Sequence, residues 1–368
     1  MTQILLKDLA SRHGLTGEEV DGLAQRNPAS AADVYRCLAN PALTVTGWSA
    51  DRRSAVARAL AWRIRRPHRQ RTRLPPLRPH HGPRPEDDRS QPPPSLSHAD
   101  QEAGTPCAPG ALASEGRIAL TLPSWPVKQQ GARGTCVAFA TTACCEFALA
   151  AAGEPAPNLS EQFLFWATKT KTADPNHDLD WSWLGYCAQA AEAEGICTEA
   201  EFRYDPDKLA QVAGPTPPAA VIAAARKTRF KTARYVYKPK GGAALVLSAL
   251  KQGVPAAISL PVFKAPPPHE DGTTNWTASR AWAHGVVSTP PSDWVRAGGH
   301  SVCIVGFEPD PSEPLGGYFV CRNSWGTLFA MEAPSFGEPK VPQPGFALIS
   351  ATHVEACCWE FLQIGGVA

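Results

Sequence analysis

The sequence predicts an α+β protein, and two features of its patterning carry that expectation. Within residues 111–368, helical periodicity comes first and strand-like runs follow. Ahead of that region, residues 1–66 read as short helices and residues 67–110 as a proline-rich tether. The expected chain is therefore a two-lobed α+β domain with a separate small N-terminal helical bundle.

The N-terminal elements follow from periodicity and capping. Ile4, Leu5 and Leu9 share a helical face, and Gly14 ends that segment. Thr16 with Glu19 has the spacing of a capping box and starts a second helix. Ser30 caps a third, carrying Val34, Tyr35 and Leu38; Ser49 caps a fourth, with Val56, Leu60 and Ile64 along one side. Four short helices stand at the lower size limit for independent folding. The character then changes at residue 67. Eleven of the 37 prolines fall within 67–110, in runs such as RLPPLRPHHGPRP and QPPPS, so backbone donors are removed and little apolar material is left to bury. A solvated, disordered tether is expected there.

In the 111–368 region, a helix begins near Cys136, with Phe139, Ala143, Phe147 and Ala150 on one stripe, and Gly153 and Pro155 stop it. A second follows the cap in Asn158-Leu-Ser-Glu-Gln, and a third covers Trp183 to Glu194, up to Gly195. Strands are expected at Arg234–Tyr237, Ala256–Phe263, Ser301–Phe307, Tyr318–Asn323 and Phe346–Ser350 from their β-branched and aromatic content. The polar, proline-containing stretch 264–299 reads as a surface loop.

Composition excludes several classes. A formal charge of +2 is too small to imply a nucleic-acid partner for the whole chain, although no Asp or Glu occurs between Arg52 and Pro85. The start, MTQILLKDLASRHG, lacks the basic and apolar regions of a signal peptide. The apolar run Cys136–Ala152 contains Glu146 and is too short for a membrane span, so a soluble, cytoplasmic protein is expected. The 11 cysteines include two vicinal pairs and no CxxC, which argues against structural zinc. No metal or other cofactor is expected, and most of these thiols read as small, reduced core residues.

Cys136 differs from the others. It follows the turn Gly134-Thr135 at the head of a helix, where unpaired N–H groups and the helix dipole favour a thiolate. Cys144 and Cys145 lie two turns further in, where that field has faded. A nucleophilic sulfur also needs an imidazole within reach, and the imidazole needs an orienting group. AGGHSVCIVGFEPD places His300 at the start of one strand, and GGYFVCRNSWGT places Asn323 at the end of the next. His284 also precedes a glycine, but its apolar run ends at once in Ser-Thr-Pro-Pro.

These segments resemble those of the papain-like cysteine peptidases. Gln130-Gly-Ala-Arg-Gly-Thr-Cys136-Val-Ala-Phe is similar to the family's nucleophile segment, GGHSVCIVGF to its histidine strand and YFVCRNSWGT to its asparagine segment. Leu159-Ser-Glu-Gln162, Gly195-Ile-Cys-Thr-Glu199 and Phe202-Arg-Tyr204 match in register between them, so the resemblance covers about residues 118–352. It implies a two-lobe fold with one helical and one antiparallel, barrel-like lobe. It also implies roles: Cys136 as nucleophile, His300 as proton acceptor and donor, Asn323 as its orienter and Trp325 as a cover over that contact. The Gln130 amide and the Cys136 N–H would form the oxyanion hole. The activity implied is peptide-bond hydrolysis through an acyl-thioester, with proteins or peptides as substrates.

The sequence also departs from the family. Arg133 stands where secreted members carry a cysteine, Val137 replaces an aromatic residue, and the substrate-binding glycine pair has no counterpart near His177–Gly185. The stretch after Trp325 lacks the second tryptophan, and the N-terminal helices lack the charged and aromatic pattern of the inhibitory propeptide. Two function classes follow. One is a non-secreted, bacterial-type thiol endopeptidase at 111–368, with residues 1–66 as an inhibitory segment or a module that recruits a protein partner. The other is an inactive papain-fold binding or scaffold protein.

Overall fold

The computed structural model describes residues 16–24, Ser49 and 106–368, the last without 122–126, 154–156, 208–210, 267–272 and 332–340. The expected first and third helices, the fourth beyond Ser49, and the tether up to residue 105 lie outside the described residues. The molecule divides into two compact units, Met1–Pro76 with Met331–Phe336, and Leu77–Ala330 with Gly337–Ala368.

In the first unit, α1 (Gly17–Ala24) starts at the expected capping box. Thr16 Oγ1 accepts from the Glu19 N–H at 3.2 Å, and Glu19 Oε2 accepts from the Thr16 N–H at 2.9 Å. Two donors that the helix cannot satisfy internally are thereby paired.

The second unit is built around α2 (Cys136–Ala151). The sequence predicts one apolar stripe, but this helix is buried almost all round. On one side it packs against α3 (Glu161–Lys171) and α4 (Leu184–Ala193). On the other it packs against strands β3 (Ala256–Lys264), β5 (Val295–Pro309) and β8 (Glu360–Val367). Its small residues let both layers approach, which is why its apolar character runs round the axis. The charge of Glu146 is absorbed by Lys128 Nζ at 2.9 Å and Arg322 at 3.4 Å. Gly153, at φ +79°, lies just beyond the end of the helix in the conformation that glycine adopts without strain. The Ser160 hydroxyl caps α3 by accepting from the Phe163 N–H at 3.0 Å.

Among the described residues the sheet has eight strands. Those expected from patterning are β2 (Phe230–Tyr237), β3, β5, β6 (Gly317–Arg322) and β7 (Phe346–Ser350). Sequence reading missed β1 (Ile118–Ala119), β4 (Val286–Val287) and β8. Two residues carry no period, so β1 and β4 have no sequence signature. The order is β2-β8-β3-β5-β6-β7-β4, with β1 paired to β5. All pairings are antiparallel except β4 with β7. Among the described residues this is one open path ending in a parallel pair, rather than a closed antiparallel barrel.

Four helices also escaped the sequence reading: α5 (Ala219–Ala225), α6 (Gly242–Lys251), α7 (Ser279–His284) and α8 (Ala351–Cys357). The stretch 264–299 is more than the expected surface loop. Thr274 bridges to Lys264, α7 and β4 follow, and Trp276 is completely buried. Its apolar residues are too widely spaced to show a period, yet the core takes them up one at a time.

Candidate active site

The start of α2 is held by tertiary contacts rather than by a local cap. Thr135 occupies the N-cap position, but its hydroxyl is 2.5 Å from Tyr204 Oη instead of bonding the helix. The Tyr204 hydroxyl also donates to the Gln130 carbonyl at 2.9 Å, so one phenol ties both ends of the nucleophile turn. Arg133 is buried in this turn. Its guanidinium donates to Gln162 Oε1 at 2.6 Å and to the Asp205 carbonyl at 3.0 Å, and lies over the rings of Tyr204 and Phe165. Gly134 is fixed by space: a Cβ there would sit 1.7 Å from the Asp180 carbonyl oxygen. Its N–H donates to Asp180 Oδ2 at 3.1 Å.

Cys136 and His300 line one cleft, with about 290 Å³ of empty space, together with Gly134, Trp181, Ser301 and Trp359. Burial pushes the Cys136 thiol up to about 11. Hydrogen bonds from the Ser301 backbone and hydroxyl and from the Val137 N–H act the other way without overcoming it. The helix-end donors expected to favour a thiolate are present, but desolvation wins. The sulfur therefore needs a base.

His300 lies on β5, and Asn323 directly follows β6. Cys303 pairs with Arg322, so the antiparallel register brings the two residues to one end of adjacent strands. His300 Nε2 is 2.8 Å from Asn323 Oδ1. The same Oδ1 accepts the Ser324 N–H at 2.8 Å, which fixes the amide with its oxygen toward the ring. An oxygen has no proton to give, so Nε2 carries one and the basic lone pair of a neutral ring resides on Nδ1.

An aromatic box surrounds the imidazole. Trp325 stacks on it at 4.6 Å between centroids and 25° between planes, and Trp276 meets it edge-on at 4.9 Å. Phe329 meets Trp325 edge-on at 5.3 Å, and Trp282 lies 6.3 Å from it. Gln130 is fully buried. Its Oε1 accepts the Ser324 hydroxyl at 2.5 Å, and its Nε2 donates to the Arg133 carbonyl at 2.8 Å. A primary amide has two N–H donors, so one remains to point elsewhere.

Trp181 and Ser182 form one wall of the cleft. That wall hangs on Lys169, a buried cation paired with Asp174 at 2.9 Å and donating to the carbonyls of Asn176 and Trp181. The sequence singled out Gln130, Cys136, His300, Asn323 and Trp325; the structure brings Cys136 and His300 to one cleft and sets Asn323 and Trp325 against the His300 ring. Sequence reasoning gave no role to Tyr204, Trp276, Ser301 or Glu360. A lone tryptophan in an otherwise polar run was the one available signal for Trp276.

Residues 121–333, more than half the chain, match the model of the papain family of cysteine proteases. The chain belongs to that family. It is a papain-family cysteine peptidase, and its substrates are accordingly proteins or peptides. Its fold is similar to that of xylellain, a cysteine protease from Xylella fastidiosa, with a TM-score of 0.53 and 17% identity over 79% of this chain and 97% of that one. The bromelain protease from Ananas comosus, solved with the E64 inhibitor, matches at a TM-score of 0.43 and 17% identity, covering 67% of this chain and 94% of that one. No curated protein matches the sequence. Among the described residues, no helix is long and apolar enough to cross a membrane.

Proposed function

We propose that this papain-family peptidase cleaves internal peptide bonds with Cys136 as nucleophile and His300 as general base and acid. The observation that carries the reading is the His300–Asn323 contact. It leaves the basic lone pair on Nδ1 of a ring that shares a cleft with the Cys136 sulfur. His300 takes the thiol proton as the sulfur attacks the substrate carbonyl, and the resulting imidazolium returns it to the departing amine. Water then hydrolyses the thioester by the same exchange.

The second Gln130 N–H and the backbone N–H of Cys136 stabilise the oxyanion of each tetrahedral intermediate. Ser324 and the Arg133 carbonyl hold that amide in place. Trp325 and Trp276 exclude water from the His300–Asn323 bond, which strengthens it. Residues 1–66 are a recruitment module on a tether, in this reading.

The test is hydrolysis of a peptide library by wild type and Cys136→Ala. Turnover by wild type alone, with an acyl-thioester trapped on Cys136, supports the assignment. Equal turnover by both proteins removes it.

A further inference from the structure

Behind the Cys136 sulfur lies a row of polar groups that this reaction does not use. Ser301 follows His300 on β5 and lines the cleft beside Cys136, and its N–H and hydroxyl pull the thiol down from the level that burial sets. In the sheet register Ser301 pairs with Ser259 on β3, and Ser259 pairs with Glu360 on β8. The side chains follow the same line: the two hydroxyl oxygens are 2.8 Å apart, and Ser259 Oγ is 2.7 Å from Glu360 Oε2. Glu360 Oε1 accepts the Tyr235 hydroxyl at 2.9 Å, and the N–H groups of Leu184 and Gly185 at the start of α4 also reach the carboxylate. Ser259, Ser301 and Glu360 are all buried, and all three line the cleft with Cys136.

Each hydroxyl has one proton to give, so the row can be ordered in two ways only. With Glu360 ionised, Ser259 donates to the carboxylate and Ser301 donates to Ser259. The Cys136 S–H then donates to Ser301, and the sulfur must keep its proton for every link to be made. With Glu360 protonated the order reverses: the carboxyl donates to Ser259, Ser259 to Ser301, and Ser301 to a thiolate. A thiolate facing an ionised Glu360 leaves one link unmade and places two like charges in one buried site.

We propose that Ser301, Ser259 and Glu360 are positioning residues, a proton-ordered relay that makes a thiolate at Cys136 and a proton on Glu360 favour each other. Passage from one order to the other is balanced. The S–H bond of Cys136 breaks, each serine takes one proton and passes on its own, and the O–H bond of Glu360 forms. His300 remains the partner of the sulfur during turnover; the relay sets how readily the thiol yields its proton. By linkage, the coupling acts equally in both directions.

Burial raises Glu360 to about 7 and Cys136 to about 11, so near neutrality the proton rests on the sulfur and the thiolate order is the minor one. The titratable groups around Glu360 are Tyr235 and Tyr237 on β2, Cys187 on α4, Cys358 next to its own strand, and Cys136 and His300 across the cleft.

The relay takes its catalytic meaning from the proposed role of Cys136, but the thiol titration needs no turnover. The test is the rate of Cys136 alkylation by iodoacetamide against pH in the full chain, read on the Cys136 peptide by mass spectrometry. Glu360→Gln presents a permanent donor to Ser259 while its remaining oxygen can keep Tyr235. Its alkylation midpoint is expected to move down by roughly one pH unit, the scale of one hydrogen bond. In a Ser301→Ala background only the direct charge effect of Glu360 on the sulfur remains, and the same change is expected to produce a clearly smaller shift. Ser259→Ala frees the Ser301 proton for the sulfur and is expected to lower the midpoint too, which covers the case where Glu360→Gln does not fold. An unchanged midpoint in Glu360→Gln or in Ser259→Ala, or a shift of undiminished size after loss of Ser301, overturns the relay. Peptide turnover that persists in Cys136→Ala would instead overturn the nucleophile assignment, whatever the titration shows.

Discussion

Asn323 illustrates what one amide decides. Because its oxygen takes the Ser324 N–H, it faces the ring as an acceptor, and the His300 tautomer follows. Gln130 is fixed in the same way, with one oxygen and one N–H already committed to Ser324 and Arg133. If its second N–H binds the oxyanion, Gln130→Ala lowers kcat about a hundred- to a thousandfold and changes KM little. Steady-state kinetics on one peptide substrate checks this. A loss confined to KM would place Gln130 in ground-state binding instead.

At the scale of elements, the turn before α2 is held by a buried cation. Arg133 reaches α3 through Gln162 and the following segment through Asp205 and Val212. Arg133→Met keeps apolar volume but leaves those acceptors without a partner. It is expected to destabilise the fold by roughly 2–4 kcal/mol, measured by urea denaturation. Arg133→Lys is expected to recover little, since an ammonium cannot span acceptors set for a planar fork. Lys169 does comparable work for the Trp181 wall. Both cations are buried polar anchors under a binding cleft, where a purely apolar contact would fix position less sharply.

For the whole molecule, acid stability is a sum of opposing terms. His353 on α8 is completely buried, neither ring nitrogen has a hydrogen-bond partner among the described residues, and burial lowers it to about 4. The unfolded chain binds that proton near pH 6.5, so the neutral ring stabilises the fold fully above pH 6.5 and less as pH falls toward 4. Glu360 has the opposite sign. Its carboxyl holds a proton up to about 7 in the fold but only to about 4.5 when unfolded, so its contribution weakens as pH rises through that range. His353→Leu is therefore expected to lose less stability than wild type between pH 6.5 and 4, by up to about 1.4 kcal/mol per pH unit. Urea midpoints across that range measure the difference. As a proposed recruitment module, residues 1–66 can be removed with the tether: deleting 1–110 is expected to leave turnover of a short peptide unchanged, whereas a rise would identify an inhibitory segment.

What the sequence determined by itself was local or ordered along the chain. The Thr16–Glu19 cap, the start of the helix at Cys136, the central strands and the order Gln130, Cys136, His300, Asn323 were legible because caps, periods and motifs act over a few residues. The tertiary structure decided what depends on register and burial. It raised the Cys136 thiol against the pull of its helix end, drew Trp276 out of a polar run onto His300, and inserted β8 between β2 and β3. Glu360 shows the reason most clearly. Its meaning comes from the two strand pairings that align it with Ser259 and Ser301, and from the loss of water there, and neither leaves a trace within reach of a local pattern.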